Sequence, residues 1–306
     1  MIPLCAPENA KLPTALALGS FDGLHLGHKK VIKAILKEPI GVPTVVSFWP
    51  HPREVLFGES RLRLDLPNEK TFLLEPLGIE QLVLVPFNKN LASKSAETFV
   101  EEVLAKTLHA KHIAVGENFR FGRNREGDTS TLEKIGASLG IKISIVPIVK
   151  DNHGRLSSSR VRKALNEGDL KHAKYLLKRP YTFRGTVEKG RGLGKKIGWP
   201  TANLKIDGRK FLPSLGVYAA WASIANKKER FLAVMNMGPQ PTIDPNSLSA
   251  VEVHLLDKEI NLLGHELIIE PVQRIRLQKK FENIEALSKQ ISLDAILAKE
   301  ILTKKL

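Results

Sequence analysis

The stretch TALALGSFDGLHLGHKK, residues 14 to 30, reads as a β-strand that breaks on a glycine-rich turn and resumes at once as a helix. TALAL has no polar alternation, which fits a strand buried on both faces. Gly19, Gly23 and Gly27 surround Phe21 and Asp22, and glycines at a strand-to-helix turn let the backbone approach a phosphate. The helix start then offers free N–H groups and the positive end of its dipole at the same place. His25 and His28 are three apart, so they share a face if the turn is already helical. Two imidazoles beside a phosphate can stabilise charge developing on an α-phosphate as pyrophosphate leaves, through positioning and electrostatics without covalent attack. The plainer alternative is a pair of surface histidines at a turn, and the flanking strand and helix weigh against it.

Outward from this stretch the same texture repeats. PTVVSF (43 to 48), QLVLVPF (81 to 87), HIAVG (112 to 116) and KISIVPI (142 to 148) are further apolar strands, and HKKVIKAILKE (28 to 38) and AETFVEEVLAKTLHA (96 to 110) carry apolar residues at helical spacing between them. Buried strands with crossover helices predict a doubly wound, Rossmann-like α/β domain on a parallel sheet. Two helices follow at 158 to 168 and 169 to 179, the second stopped by Pro180. Beyond Pro180 come short strand-like runs separated by Gly, Pro and Asn, among them YTFRGTVEKG, GVYAAWASIA, RFLAVMNMG, SAVEVHLLD and HELIIEPVQRIR. With no helices between them they predict an antiparallel barrel or sandwich, and residues 283 to 306 return to helical spacing as a closing helix. The expected domains are therefore 1 to 179 and 180 to 306, joined closely at Arg179 and Pro180.

The 306 residues carry 47 Lys+Arg against 32 Asp+Glu, a formal charge of +15, which suits anionic ligands but also nucleic acid. The basic residues cluster in loops where phosphate ligands already explain them, so neither nucleic acid nor a membrane is expected as a partner. No apolar run reaches the ~18 residues of a membrane span. A single cysteine, Cys5, excludes an internal disulfide and a thiolate zinc cage, and a reducing cytoplasm fits best.

Further candidates lie at the carboxyl ends of later strands, where an open α/β sheet binds ligands. SFWPHPREVL (47 to 56) sets His51 between Pro50 and Pro52 in a rigid turn, and GENFRFGRNREGD (116 to 128) interleaves Phe119 and Phe121 with Arg120, Arg123 and Arg125 after Asn118. Aromatic rings beside guanidinium groups can stack a flat ring or hold phosphates. LSSSRVR (156 to 162) opens a helix with Ser158, Ser159 and Arg162, which is a natural cap and also a natural phosphate clamp. In the second domain, RGTVEKGRGLGKKIGWPTANL (184 to 204) is a glycine-rich flap with a basic run that includes Lys195 after Gly194. Thr201 and Asn203, two apart on one side of a strand, present hard oxygen atoms suited to Mg²⁺ bridging ATP phosphates. In VEVHLLD (251 to 257), Glu252 and His254 share one face, and Glu252 is placed to act as a base in phosphoryl transfer.

The segments GSFDGLHLGH, SFWPHPREVL, GENFRFGRNREGD and LSSSRVRKAL, in that order, resemble the adenylyltransferase module of the prokaryotic bifunctional riboflavin kinase/FMN adenylyltransferase family, also called FAD synthetases. GKKIGWPTAN, LGVYAA, VMNMGPQPT, VEVHLLD, LLGHEL, RLQKKF and KQISLD resemble its riboflavin kinase module, so the resemblance spans nearly the whole chain. It implies a nucleotidyltransferase domain followed by a six-stranded antiparallel barrel with a C-terminal helix. The implied reactions are ATP plus riboflavin to FMN, then ATP plus FMN to FAD and pyrophosphate, both with Mg²⁺. It implies ATP contacts from His25, His28, the glycine turn, the Ser158–Ser159 pair and Arg162, and flavin contacts near His51, Pro52, Asn118, Phe119 and Arg120. In the barrel it implies ATP contacts at Gly194 and Lys195, metal and phosphate contacts at Thr201 and Asn203, and Glu252 as the base on the ribityl 5′-hydroxyl. Four positions depart from the family pattern: Ser159 for threonine, Lys195 for arginine, Leu263 for tyrosine and Gln278 for glutamate. Replacing arginine by Lys195 keeps the charge and loses a bidentate fork.

Overall fold

Five of the expected strands form, with one very short strand added at the edge. They are β1 (Leu4–Cys5), β2 (Thr14–Leu18), β3 (Val42–Trp49), β4 (Gln81–Pro86), β5 (Ala110–Gly116) and β6 (Lys142–Val146), all parallel in the order β1-β4-β3-β2-β5-β6. Successive residues of β2 feed two separate cores, as a strand with helices on both faces requires. Leu16 and Leu18 pack with Val100, Leu104 and Leu132, whereas Ala15 and Ala17 pack with Val31, Ile32 and Ile35. The helices of this unit are α1 (Leu26–Leu36), α2 (Pro52–Phe57), α3 (Pro67–Leu74), α4 (Lys89–Ser93), α5 (Ala96–Thr98, running on as wider turns over Phe99–Thr107) and α6 (Thr129–Ser138). A two-stranded hairpin follows, β7 (Lys150–Asp151) with β8 (Gly154–Arg155). From β2 the chain moves outward through β3 and β4, then returns to β5 and β6 on the other side. The carboxyl ends of β2 and β5 thus flank the point where strand order reverses, where an open sheet leaves a crevice.

This is a computed structural model describing residues 1–37, 40–59, 62–190, 194, 198–238, 250–258 and 260–304. Its contacts divide the chain into two units, Met1–Ser158 and Ser159–Leu306. Helix α7 (Ser158–Glu167) crosses that division, and α8 (Leu170–Leu177) follows.

The second unit is built on β9 (Phe183–Glu188), β10 (Ala202–Lys205), β11 (Gly216–Ile224), β12 (Arg230–Gly238), β13 (Ala250–Leu255) and β14 (Glu266–Arg276), which close as an antiparallel barrel in the order β10-β13-β12-β11-β14-β9. Alternation fills the inside with Met235, Met237, Val251 and Val253, all fully buried, and turns Asn236 and Glu252 outward. The last helix, α9 (Ile284–Thr303), sets Ala295, Ala298 and Leu302 against the outward residues Val217, Ala219 and Val234. It is fastened by Arg276 of β14, whose guanidinium donates to the buried Asp294 carboxylate at 2.8 to 3.0 Å. Helix α8 packs on β14. The Arg274 guanidinium also donates to the Glu167 carbonyl at 2.9 Å, so the two helices before Pro180 associate with the barrel. Among the described residues, no helix is long and apolar enough to cross a membrane.

Candidate functional site

A cleft of about 240 Å³ opens at the carboxyl ends of β2, β5 and β6, lined by His25, His28, Asn118, Phe119, Arg120 and Arg155 among others. The turn between β2 and α1 is unusual backbone: Phe21, Gly23 and Leu24 have φ of 46°, 89° and 44°. Glycine adopts this region freely, whereas Phe21 and Leu24 are held there against side-chain sterics. His25 is the cap residue before α1 and His28 lies in its first turn. Their rings stack with centroids 3.7 Å apart, and Phe21 meets His28 edge-on at 5.3 Å. Gly27 admits this arrangement, since a Cβ there would lie 3.1 Å from His25 Cε1.

Both imidazoles are neutral at physiological pH. Burial, reinforced by the Arg155 charge and opposed by Asp22, lowers His25 to about 4. Burial first, then the charges of His25, Lys70 and Arg155, hold His28 well below the ordinary histidine range. Among the described residues neither Nδ1 has a hydrogen-bond partner, although both are buried. A stacked neutral pair at a helix N-terminus is arranged to receive anionic oxygens.

The turn is braced from behind. Asp22, placed by sequence among the phosphate contacts, accepts at Oδ1 from Leu64 N at 2.9 Å and Asp65 N at 3.4 Å. Its carbonyl accepts from Ser158 Oγ at 2.8 Å. Two residues that sequence reading missed also belong here. Lys70 donates from Nζ to the Ser20 carbonyl at 2.8 Å, and Arg155 lines the cleft and, with the Asn118 amide turned to present its oxygen, donates to that oxygen from both Nη atoms at 3.0 Å. Lys70 lies in no glycine turn and Arg155 in a hairpin too short to mark a site, so their tertiary positions reveal them.

Of the expected flavin contacts, Asn118, Phe119 and Arg120 line the cleft, with Gly19, Phe21 and Gly27 on its other wall. Phe119 stacks on Phe121 at 5.5 Å and Arg120 pairs with Asp128 at 3.3 Å. His51 and Pro52 lie outside the cleft lining and begin α2 instead. The His51 Nδ1 accepts from Arg53 N at 3.1 Å, and His51 N donates to Glu54 Oε2 at 2.8 Å, which is a reciprocal cap. Ser158 falls in the first unit, Ser159 and Arg162 in the second, where the Arg162 guanidinium lies 5.7 Å from the Phe211 ring centre.

The barrel holds the other set. Asn203 on β10 is directly opposite Glu252 on β13, which is directly opposite Asn236 on β12. Directly opposed residues share a face, so the three form an outward row across adjacent strands. Gln278, one of the departures, donates to Asn236 Oδ1 at 2.5 Å and to the Met237 carbonyl at 2.9 Å. His254 is fixed two residues along from Glu252, its Nδ1–H donating to the Pro200 carbonyl at 2.7 Å. Two glycines come close to the expected metal ligands: a Cβ on Gly190 would fall 1.9 Å from Asn203 Nδ2, and one on Gly194 would fall 3.2 Å from Thr201 Oγ1. Lys195 lies outside the described residues. Leu263, another departure, is exposed. Among the described residues no cluster of three His, Cys, Asp or Glu side chains could cage a metal. Mg²⁺ that takes most of its oxygens from phosphates and water needs few protein ligands, so Thr201 and Asn203 in a cradle kept clear by glycines fit such an ion.

A glycine-rich turn carrying two stacked histidines at the switch point of a parallel sheet, joined in one chain to a closed barrel with Asn203, Glu252 and Asn236 in a row, defines a two-module transferase of phosphorus-containing groups. Residues 8–160 match the FAD synthetase family and residues 177–302 match the riboflavin kinase family. The chain is 34% identical over 295 residues to the bifunctional riboflavin kinase/FMN adenylyltransferase of Haemophilus influenzae, covering 93% of each. It is 35% identical over 291 residues to that of Escherichia coli K12, covering 93% of this chain and 91% of the relative. A crystal structure described as a macrolide-efflux protein from Streptococcus pneumoniae superposes with a TM-score of 0.83 at 29% identity, over 97% of this chain and 98% of that one. The chain belongs to the family of bifunctional riboflavin kinase/FMN adenylyltransferases.

Proposed function

We propose that the chain phosphorylates riboflavin with ATP to give FMN and ADP on the outer face of the barrel. It then adenylylates FMN with a second ATP to give FAD and pyrophosphate in the cleft of the α/β unit. The observation that carries the reading is the stacked His25–His28 pair at the head of α1, inside a cleft at the strand-order reversal. In that cleft the N–H groups at the start of α1 and the two imidazoles receive the ATP phosphates. They stabilise charge as the bond between the α- and β-phosphates breaks and the FMN phosphate oxygen attacks. Arg155 and Arg120 supply positive charge at the rim, and Phe119, backed by Phe121, offers a face on which a flat ring can stack. Ser158, whose Oγ donates to the Asp22 carbonyl, steadies the turn from below.

In the barrel, Glu252 takes the proton of the ribityl 5′-hydroxyl as it attacks the γ-phosphate. Thr201 and Asn203 would hold Mg²⁺, and Gly194 and Lys195 belong to the glycine-rich sequence segment before them. When bound, the ion neutralises phosphate charge. Asn236 joins Asn203 on either side of Glu252 and orients the hydroxyl or the carboxylate. The functional modules are residues 1 to 179 and 180 to 306, and the single free Cys5 is consistent with a cytoplasmic protein.

The test is incubation of the full chain with riboflavin, ATP and Mg²⁺ and chromatographic separation of the flavins. Time-dependent FMN followed by FAD is expected, and the formation of neither rules the reading out.

A further inference from the structure

The mechanism above leaves unused a buried charge that lies directly beneath the histidine turn. Lys70, on α3, is only 6% exposed and sits under the turn that carries the histidine pair. Non-glycine residues at positive φ, such as Phe21 and Leu24, persist where the surroundings over-determine them. The segment from Leu64 to Lys70 does this at two ends of the turn. Its first residues donate backbone N–H groups to the Asp22 carboxylate, and Lys70 Nζ donates to the Ser20 carbonyl at 2.8 Å. Burying an ammonium group is costly, and a bond to one backbone carbonyl does not require a full charge. The electrostatic setting is specific: Asp22 and Asp65 favour the charged lysine, while burial and Arg63 oppose it. The charge also reaches His28, where it acts together with His25 and Arg155.

We propose that Lys70 is a positioning residue for adenylyl transfer, fixing the Ser20 carbonyl and through it holding the turn from Phe21 to Leu24 in the form that aims His25 and His28 into the cleft. The proposal rests on the assignment of adenylyl transfer to this cleft. Misplacing a reacting group by about 1 Å costs up to ~10²-fold in rate, so Lys70→Met lowers kcat for FMN to FAD by about that factor while KM for ATP changes little. Riboflavin phosphorylation by the same chain is unchanged and serves as the internal control. Lys70 faces Asp22, Asp65, Arg63 and His28, and the histidine pair faces Asp22 and Arg155. Removing the lysine charge makes His28 easier to protonate, so the limb of the pH–rate profile that it sets moves to higher pH. Lys70→Arg, which keeps a charged donor, restores most of the rate.

Wild-type protein that makes FMN but converts none to FAD defeats the assignment of the cleft, not of Lys70 within it. Given an active wild type, the proposal is overturned by a Lys70→Met protein within twofold of wild-type kcat. It is equally overturned by a slow Lys70→Met protein whose pH–rate limb does not move and whose rate Lys70→Arg does not recover. If Lys70→Met does not fold, Lys70→Gln, a neutral side chain, takes its place, and a folded Lys70→Gln protein within twofold of wild-type kcat overturns the proposal.

Discussion

His25 and His28 carry no positive charge in the free protein, so their use to a phosphate lies in N–H donation and in charge taken up when the anion arrives. His25→Ala or His28→Ala is expected to lower FAD formation by orders of magnitude while FMN still accumulates, read from the two flavin peaks. Acid stability follows from the same burial. The folded state holds His25 near 4 against an ordinary 6.5, so the unfolded chain binds the proton first as pH falls. Stability of the α/β unit is therefore complete above about 6.5 and declines as pH drops toward 4, because the unfolded state holds more protons across that window. Thermal melts at stepped pH should show this decline, and His25→Gln should flatten it. For Glu252, Glu252→Gln keeps the shape but cannot take the proton, a loss of about 10²- to 10⁴-fold in FMN formation, with supplied FMN still converted to FAD. The histidine pair and Glu252 were legible in sequence because glycine spacing and strand alternation are local patterns. Lys70 was not, since its segment offers no pattern that marks a site and only the packing of α3 buries its ammonium. Asn236 was missed for a related reason: its place beside Glu252 is set by the register of β12 and β13, which no single segment encodes.

The turn from β2 into α1 and the glycine segment after β9 are the elements in which small size matters most. Gly27→Ala places a methyl 3.1 Å from one His25 ring atom and 3.2 Å from another. The substitution suits the helix by up to about 1 kcal/mol, so stability should hold or rise while adenylyl transfer falls, an opposition that melting curves and initial rates together can check. Gly190→Ala puts a methyl within 1.9 Å of Asn203 Nδ2, which forces the amide or the segment to move. FMN formation should drop with FAD formation from supplied FMN intact. The sheet strands were readable as continuous apolar runs, and the barrel strands and long helices through their periods of 2 and 3.6. The two-residue β1 and the β7–β8 hairpin are too short to show a period at all. Helix α3 hides for another reason: Glu69, Lys70 and Thr71 are buried as well as Leu74, so its polar residues face the interior.

For the whole chain, the sequence texture changes at Pro180 but the packing divides earlier, after Ser158. Helix α8 buries Leu170, Ala173, Leu176 and Leu177 and packs on β14. Fully burying an aliphatic side chain contributes about 1.5 to 3 kcal/mol, so a fragment of residues 180 to 306 gives up several kcal/mol that a fragment of 159 to 306 keeps. Both should phosphorylate riboflavin, since each holds Thr201, Asn203 and Glu252. The shorter fragment should melt lower by roughly 10 °C or more, and equal melting temperatures would show that α8 contributes little to the barrel. The barrel has one more consequence. Because the row of Asn203, Glu252 and Asn236 points outward while Met235, Met237, Val251 and Val253 fill the interior, the residues that stabilise this unit and the residues that do its chemistry occupy opposite faces of the same strands. Proteins commonly trade stability against activity where one set of side chains must serve both. Here the interior is free to be repacked, by natural drift or by design, with the chemistry left where it is, and conservative exchanges among the interior apolar residues should shift melting temperature with little change in the rate of FMN formation.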